Sequence, residues 1–318
     1  SSGDDGRVLV AGIGNLTLLD AQTGAKISEQ VVDQFIIDVK ILPDSARALV
    51  VLNQTWSDDT TPLPTTRVEV MEMADGKNHE FTVPNCASTL AITPDGKKAF
   101  LSPSSCNKDP VSLLDLSAGA EAWVKNLPGF GPLVIGPDGA TAVAFLDVQN
   151  LDETLFDDPK QIPPHGETDP RYYIMTLDTE ALKYDFTVVG NALPRYALTP
   201  DGEVLLVDSA SDAMATLRLF DTKTRSFRDV KGAQVKLDNF VIAGDGKHLY
   251  ALAPELVDID LPGSTASPIL LSFVPTNINI SPDDQTLFLR HSLTEICVFS
   301  IEKRECRSTF KGDLLATP

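Results

Sequence analysis

One short motif recurs along the chain and constrains its fold more than any other feature. Each copy has an apolar run, a tight turn close to Ser/Thr/Gly-Pro-Asp-Gly, and a second apolar run. Proline presets the backbone of the turn, aspartate caps it through its side chain, and glycine adopts a positive φ. Each copy therefore predicts a strand, a turn and a second strand. The copies are ILPDSARALVV (41–51), ITPDGKKAFL (92–101), IGPDGATAVAF (135–145), LTPDGEVLLV (198–207), IAGDGKHLYAL (242–252), ISPDDQTLFL (280–289) and a truncated first copy, GDDGRVLVAG (3–12).

A second pair of strand-like runs follows each motif, as in residues 16–32 and 217–230. No segment keeps an amphipathic helical period over three turns. Four strands in every ~40–50 residues are typical of a β-propeller blade. The motif therefore predicts an all-β, seven-bladed β-propeller with four antiparallel strands per blade. The seven motif aspartates are Asp5, Asp44, Asp95, Asp138, Asp201, Asp245 and Asp283.

The two ends of the chain are predicted to share one blade. The first motif copy begins too close to residue 1 to include its own first strand. The last residues, LLATP, resemble the ends of first strands elsewhere, so residues 312–318 are predicted to complete the blade of residues 3–32. Such closure removes the open edges of the first and last blades. We therefore expect residues 1–318 to form one ring-closed domain and the protein to be a monomer.

The repeat resembles that of the YVTN-type family of seven-bladed β-propellers, which includes lactonase-like members. The Pro-Asp-Gly turns carry the resemblance, together with apolar-Asp-Thr-x-Thr segments such as residues 219–225. It extends over nearly the whole chain and implies the propeller fold. It implies little about function, because propellers carry unrelated functions on one scaffold.

The charge balance excludes some classes of partner. The 26 basic and 45 acidic side chains give a net charge of −19, whereas nucleic-acid binding needs a basic surface. Anionic membrane surfaces are disfavoured for the same reason. Hydrophobic residues make up 42% of the sequence, which is typical of a globular protein. No apolar run reaches the ~20 residues of a transmembrane helix.

The four cysteines fall into two local sets, and none has a metal-binding spacing. Cys86 and Cys106 flank the first hairpin of one blade, and Cys297 and Cys306 flank another hairpin. We expect two disulfides and an extracytoplasmic location, in the periplasm, at the cell surface or outside the cell. The alternative is four buried thiols in a cytosolic protein. The polar first residues suit a site just after export or lipoprotein cleavage, or a cloning remnant.

Two long insertions are predicted to lie on the face opposite the motif turns. That face carries the loops between second and third strands and the links between blades, and we name it the loop face. The first insertion, residues 53–66, contains Trp56. This side chain is either tucked against its own blade or exposed for a partner.

The second insertion, residues 147–170, holds seven acidic residues and one lysine, and we name it the acidic insertion. With Asp157 and Asp158 at its centre, it is either a docking surface for a cation or basic partner or a solvated loop. Its carboxylates lack the spacing of a calcium loop. Three apolar residues are expected to anchor it: Leu155, Phe156 and Ile162.

A set of polar residues occupies one position of the predicted first strands, six residues before the motif aspartate. Asp38, Arg195, Asn239 and Asn277 share it with Thr89 and Pro132, and the next position is always apolar. Strand alternation buries the apolar position between blades and turns the polar one towards the channel mouth. The polar set is either a hydrated rim or a site for a small polar or anionic ligand held by Arg195.

Sequence motifs of catalysis, metal binding and cofactor binding are missing, and we predict no metal and no cofactor. His291 is the histidine best placed near the loop face. We favour a non-enzymatic extracytoplasmic propeller that presents its loop face to a protein or glycan partner. The alternative is a lactonase-like hydrolase in which Arg195 converges with Asp38 or His291 at the channel mouth. A third hypothesis is a subunit that docks a redox partner.

Overall fold

The computed structural model describes most of the chain, as two compact units, Ser1–Asn191 and Ala192–Pro318. Each unit is built from twisted antiparallel sheets, with no α-helix among the described residues. The described residues are 7–12, 15–20, 23–32, 35–44, 46–53, 66–73, 77–83, 87–103, 110–117, 123–208, 215–235, 239–252, 255–263, 265–281, 283–292 and 295–311.

The first unit contains one three-stranded and three four-stranded sheets, with orders β1-β2-β3, β4-β5-β6-β7, β8-β9-β10-β11 and β12-β13-β14-β15. Three short 3₁₀ helices, Val148–Asn150, Glu153–Leu155 and Pro159–Gln161, separate β13 from β14. The strands are β1 Arg7–Gly12, β2 Asn15–Asp20, β3 Lys26–Val31, β4 Phe35–Ile41, β5 Arg47–Asn53, β6 Thr66–Glu72, β7 Asn78–Val83, β8 Ala87–Ile92, β9 Lys98–Pro103, β10 Val111–Asp115, β11 Trp123–Leu127, β12 Phe130–Ile135, β13 Thr141–Asp147, β14 Tyr172–Asp178 and β15 Tyr184–Gly190.

The second unit contains three four-stranded sheets, again with strands in sequence order. The seven sheets match the seven predicted blades. The fourth strand of the first blade, predicted from residues 312–318, lies outside the described residues. The strands are β16 Arg195–Leu198, β17 Val204–Asp208, β18 Ala215–Asp221, β19 Ser226–Val235, β20 Asn239–Ile242, β21 His248–Leu252, β22 Leu256–Asp260, β23 Thr265–Ile269, β24 Asn277–Ile280, β25 Thr286–Arg290, β26 Glu295–Ser300 and β27 Glu305–Lys311.

Apolar clusters fill the space between consecutive blades within each unit. Strand β5 shows how the sequence produces this arrangement. Its Leu49 and Val51 pack in one cluster with Leu90 of the third blade, whereas Val50 packs in another with Leu9 of the first blade. Successive side chains of a strand point to opposite faces, so the middle of a strand that lies between two blades needs apolar residues at successive positions. Each such fully buried side chain contributes about 1.5–3 kcal/mol.

The fourth and sixth blades show the predicted geometry of the motif turn. In the fourth blade the Gly139 N–H donates to the carbonyl of Gly136 at 2.8 Å, and Gly139 has φ +70°. The Asp138 carboxylate accepts a hydrogen bond from the backbone of Ala140 at 3.0 Å. Asp245 of the sixth blade accepts in the same way from Lys247 at 2.8 Å. Aspartate and glycine therefore stabilise one turn by different means, a side-chain cap and a left-handed backbone.

Motif turns of neighbouring blades also contact one another. A Cβ placed on Gly139 would lie 2.7 Å from Cδ of Pro94, the proline of the preceding turn. A Cβ on Gly96 would lie 3.2 Å from Cδ of Pro43. The glycine therefore serves a second purpose, because it lets the proline ring of the previous blade approach its backbone.

The disulfide predicted between Cys297 and Cys306 is confirmed. It joins β26 to β27 across their hairpin, with the two Cα atoms 5.8 Å apart. Cys297 is buried and Cys306 is exposed. The second predicted pair, Cys86 with Cys106, lies outside the described residues.

Substitution of Gly139 tests the two reasons for a glycine in the motif, its left-handed backbone and its close approach to Pro94. Gly139→Ala is expected to cost about 1–2 kcal/mol for the left-handed backbone and about 1–3 kcal/mol more for the collision with Pro94. Gly24→Ala is the matched control, because Gly24 has φ +67° and a Cβ added there would meet nothing within 4 Å. Chemical denaturation of both variants measures the difference. Equal losses of stability in the Gly139→Ala and Gly24→Ala variants would contradict the contact between the turns. Adding Pro94→Ala to the Gly139→Ala variant should restore part of the stability that the collision costs.

Candidate functional site

The acidic insertion is an ordered structure in which aspartates start each short helix. Asp147, Asp152 and Asp158 are the N-caps of the three 3₁₀ helices. The Asp147 carboxylate accepts a hydrogen bond from the backbone N–H of Gln149 at 3.1 Å. The carboxylates of Asp152 and Asp158 each accept one from a backbone N–H of their own helix, at 2.9 Å. An aspartate side chain satisfies the N–H groups that a helix start leaves unpaired. Asp158, predicted as a partner-binding residue, therefore also has a structural role.

Aromatic contacts anchor the insertion to the fourth blade. Phe156 is buried, and its ring meets Tyr184 edge-on with the centroids 6.1 Å apart. It lies 5.8 Å from the ring of Phe186, and the partly buried Leu155 and Ile162 pack against the same cluster. Burial raises the pKa of Tyr184, with the nearby Asp157 carboxylate adding to the effect. The three predicted anchor residues thus hold the insertion on its blade.

An ion pair closes the base of the insertion. The Arg171 guanidinium donates to both carboxylate oxygens of Asp147, at 2.9 and 2.7 Å. It also lies over the Tyr172 ring, 4.9 Å from the centroid. Burial acts to raise the pKa of Asp147, but the hydrogen bonds from Arg171 and Asn150 outweigh it, so the pKa lies below its ordinary value. A bidentate pair of this kind fixes two chain segments in one relative position.

The outer surface of the insertion remains acidic. Asp157 is exposed and pairs with Lys125 of β11. The Glu153 carboxylate lies 3.5 Å from Nε2 of His165, and both side chains are largely exposed. Glu167 is exposed as well. The fold therefore presents carboxylates on a framework that holds them in place.

The polar first-strand residues divide between the two units. In the second unit Arg195, Asn239 and Asn277 are the first residues of β16, β20 and β24. The Asn239 amide donates to Oδ1 of Asn277 at 2.6 Å, so two of the predicted residues are in contact. In the first unit the position differs: β4 begins three residues before Asp38, which lies at a register irregularity. Its carboxylate accepts from the backbone of Val39 at 2.8 Å.

His291 lies in a small cluster of the seventh blade. Its ring centroid is 4.4 Å from that of Phe273, and its Nδ1 is 3.3 Å from the Glu295 carboxylate. The convergence of His291 with Arg195 and Asp38 stays a prediction. Trp56 lies outside the described residues.

The structure also shows a polar cluster that the sequence motifs did not predict. Nδ1 of His248 is 3.0 Å from one carboxylate oxygen of Asp258, and the Arg304 guanidinium is 3.4 Å from the other. The imidazole stacks on Tyr250, whose pKa is raised to about 12, chiefly by burial. The pairing of β21 with β22 brings His248 and Asp258 together. The register of this hairpin is therefore the one sequence signal that could have indicated the cluster.

Within the described ranges no group of three or more His, Cys, Asp or Glu is arranged to hold a metal ion. Those ranges likewise contain no helix that is long and apolar enough to cross a membrane.

No protein-family model matches the sequence, and no curated protein does. Solved structures match it by fold. Dihydro-heme d1 dehydrogenase NirN in complex with DHE has a TM-score of 0.67 at 13% identity, covering 98% of this chain and 65% of its own. Kuenenia stuttgartiensis hydrazine synthase has a TM-score of 0.52 at 16% identity, covering 97% of this chain and 93% of its own.

The β-propeller domain of Myceliophteria thermophila Swd1 is similar as well, with a TM-score of 0.54 at 11% identity, covering 96% of this chain and 93% of its own. Identities this low establish the fold alone. The chain is a seven-bladed β-propeller. No family model supports the predicted resemblance to the YVTN-type repeat. The chain is therefore classified by its architecture and not by a sequence family.

Loss of the Asp147 carboxylate should loosen the base of the insertion. Asp147→Asn is expected to cost about 1–2 kcal/mol, because the partly exposed Arg171 loses a bidentate partner. The native pKa lies below the ordinary value of 3.8, so this contribution is present above about pH 4 and is lost as the pH falls through the native pKa. Denaturation at pH 7 and pH 2 measures it.

Asp158→Asn is the matched control, because an asparagine side chain can still cap the third 3₁₀ helix. It should leave stability nearly unchanged at both pH values. An Asp147→Asn variant as stable as the control at pH 7 would contradict the structural role of the ion pair.

Proposed function

We propose that this propeller is a non-enzymatic binding or scaffold protein that presents its loop face to a protein partner, with a glycan as the less favoured partner. The ordered acidic insertion is the observation that carries the proposal. An insertion with three capped helical turns and an aromatic anchor is a preformed surface, so little ordering entropy is lost when a partner binds it.

The chemistry of that surface favours a basic partner. Residues 147–170 carry seven acidic side chains and one lysine within a chain of net charge −19. Charge of one sign accelerates the encounter with a partner of opposite charge and discriminates against acidic competitors. The Glu153 and Glu167 side chains are exposed to solvent, and Glu153 lies beside His165.

An extracytoplasmic location forms part of the proposal. The disulfide between Cys297 and Cys306 supports it, because the reducing cytosol keeps most thiols unpaired. A relationship to YVTN-type propellers is also part of the proposal, and the repeated Pro-Asp-Gly turns support it. The hydrolase alternative depends on Arg195, Asp38 and His291 converging at the channel mouth, and that convergence stays a prediction.

Neutralising exposed carboxylates of the insertion should weaken partner capture without unfolding the protein. The test variant combines Glu153→Gln and Glu167→Gln, and the immobilised protein is offered an extract of the extracytoplasmic fraction of its host. Capture is expected to fall by about tenfold, corresponding to about 1.4 kcal/mol, and to weaken further as salt is raised. Quantitative mass spectrometry of the eluate measures it.

The matched control combines Glu180→Gln and Asp229→Asn, which remove the same charge from exposed positions outside the insertion. It should retain the captured partner. Equal losses in both variants would attribute capture to net charge alone, and unchanged capture in the test variant would place the binding surface elsewhere.

The cysteine assignment has a direct test. The intact protein, isolated without reductant, should gain the mass of four hydrogens on reduction, because we expect two disulfides. A gain of two hydrogens would show that only one disulfide is present. It would mean that Cys86 and Cys106 are thiols and that the prediction holds only for Cys297 and Cys306. No gain would contradict the disulfide and remove the support for an extracytoplasmic location.

A further inference from the structure

Strand β27, Glu305–Lys311, differs in its exposure from the terminal strands of the other four-stranded sheets. All seven of its residues are exposed, including Phe310. By contrast, β7 buries Val83, β15 buries Val189 and β23 buries Ile269. Both the edge of the last sheet and the two faces of this strand are thus accessible.

The backbone of β27 has one described ladder, to β26, and the strand is the last in its sheet. A terminal strand presents a row of N–H and C=O groups that can pair with another strand. The strand is also held in place. Cys306 is bonded to Cys297, and the Arg307 guanidinium donates to Oγ of Ser300 at 2.6 Å. A strand fixed in this way loses little entropy when a second strand adds to it.

The sequence of β27, ECRSTFK, is complementary to itself in charge. An antiparallel pair centred on Ser308 places Ser308 opposite its own copy and Glu305 opposite Lys311, twice. Opposite charges directly across an antiparallel pair are stabilising. The same two-fold arrangement matches the isologous contact that most protein dimers use.

We propose that β27 is a dimerisation edge, at which two copies of this chain pair antiparallel about Ser308 and join their last blades into one continuous sheet. This differs from the monomer expected from the sequence. A contact between two single strands is smaller than the ~1,200 Å² of a standard interface, so the dimer is expected to be weak. The proposal involves none of the residues of the acidic insertion, so failure of either proposal leaves the other intact.

Sedimentation velocity over a concentration series tests the charge pairing. Lys311→Glu places carboxylates opposite each other and should weaken dimerisation by about tenfold. The double variant Glu305→Lys with Lys311→Glu exchanges the two charges and should restore the dimer. A wild-type protein that stays monomeric at millimolar concentration, or two variants that associate alike, would overturn the proposal.

Oxidative cross-linking tests the register. Ser308→Cys should form an intermolecular disulfide readily, because the two-fold arrangement sets the residue opposite itself. Thr309→Cys is the matched control, since its two copies lie about 7–8 Å apart on the diagonal, beyond disulfide reach. Equal cross-linking of the two variants would exclude this register. Binding of an acidic peptide to a monomer that does not self-associate would assign the edge to a different partner.

Discussion

A β-propeller blade cannot bury both of its faces alone, and the rest of this structure depends on that constraint. Leu49 and Val50 are adjacent in β5, yet each is fully buried against a different neighbouring blade. Much of the apolar burial that stabilises the fold therefore lies between blades. The motif turns follow the same rule, because the proline of one turn packs on the glycine of the next. Local turn chemistry and packing between blades are satisfied by the same few residues.

The sequence was sufficient for the blades because their signals are local. Asp138 and Gly139 encode a turn within four residues, and alternating apolar positions encode the strands beside it. The bounds of the seven sheets follow from that pattern. The contact between Gly139 and Pro94 is not local, since the two residues belong to different blades. The sequence alone does not show that these residues are close in space.

The acidic insertion could be recognised in the sequence, but the roles of its individual carboxylates could not. Composition marked residues 147–170 as acidic, and the anchor residues were recognisable as apolar side chains in a polar loop. A carboxylate that caps a helix and one that faces solvent look alike in a sequence. Only the fold assigns Asp147 to Arg171 and leaves Glu167 exposed. The pairing of Asn239 with Asn277 required the two blades to be placed side by side.

The order of proline and glycine in the turn contacts bears on how the chain is made. Pro43 precedes its contact Gly96, and Pro94 precedes Gly139, by about the length of one blade. As the chain leaves the ribosome, the third and fourth blades therefore each meet a turn that has already emerged. These two blades can fold by successive addition, each packing on the turn of the blade before it.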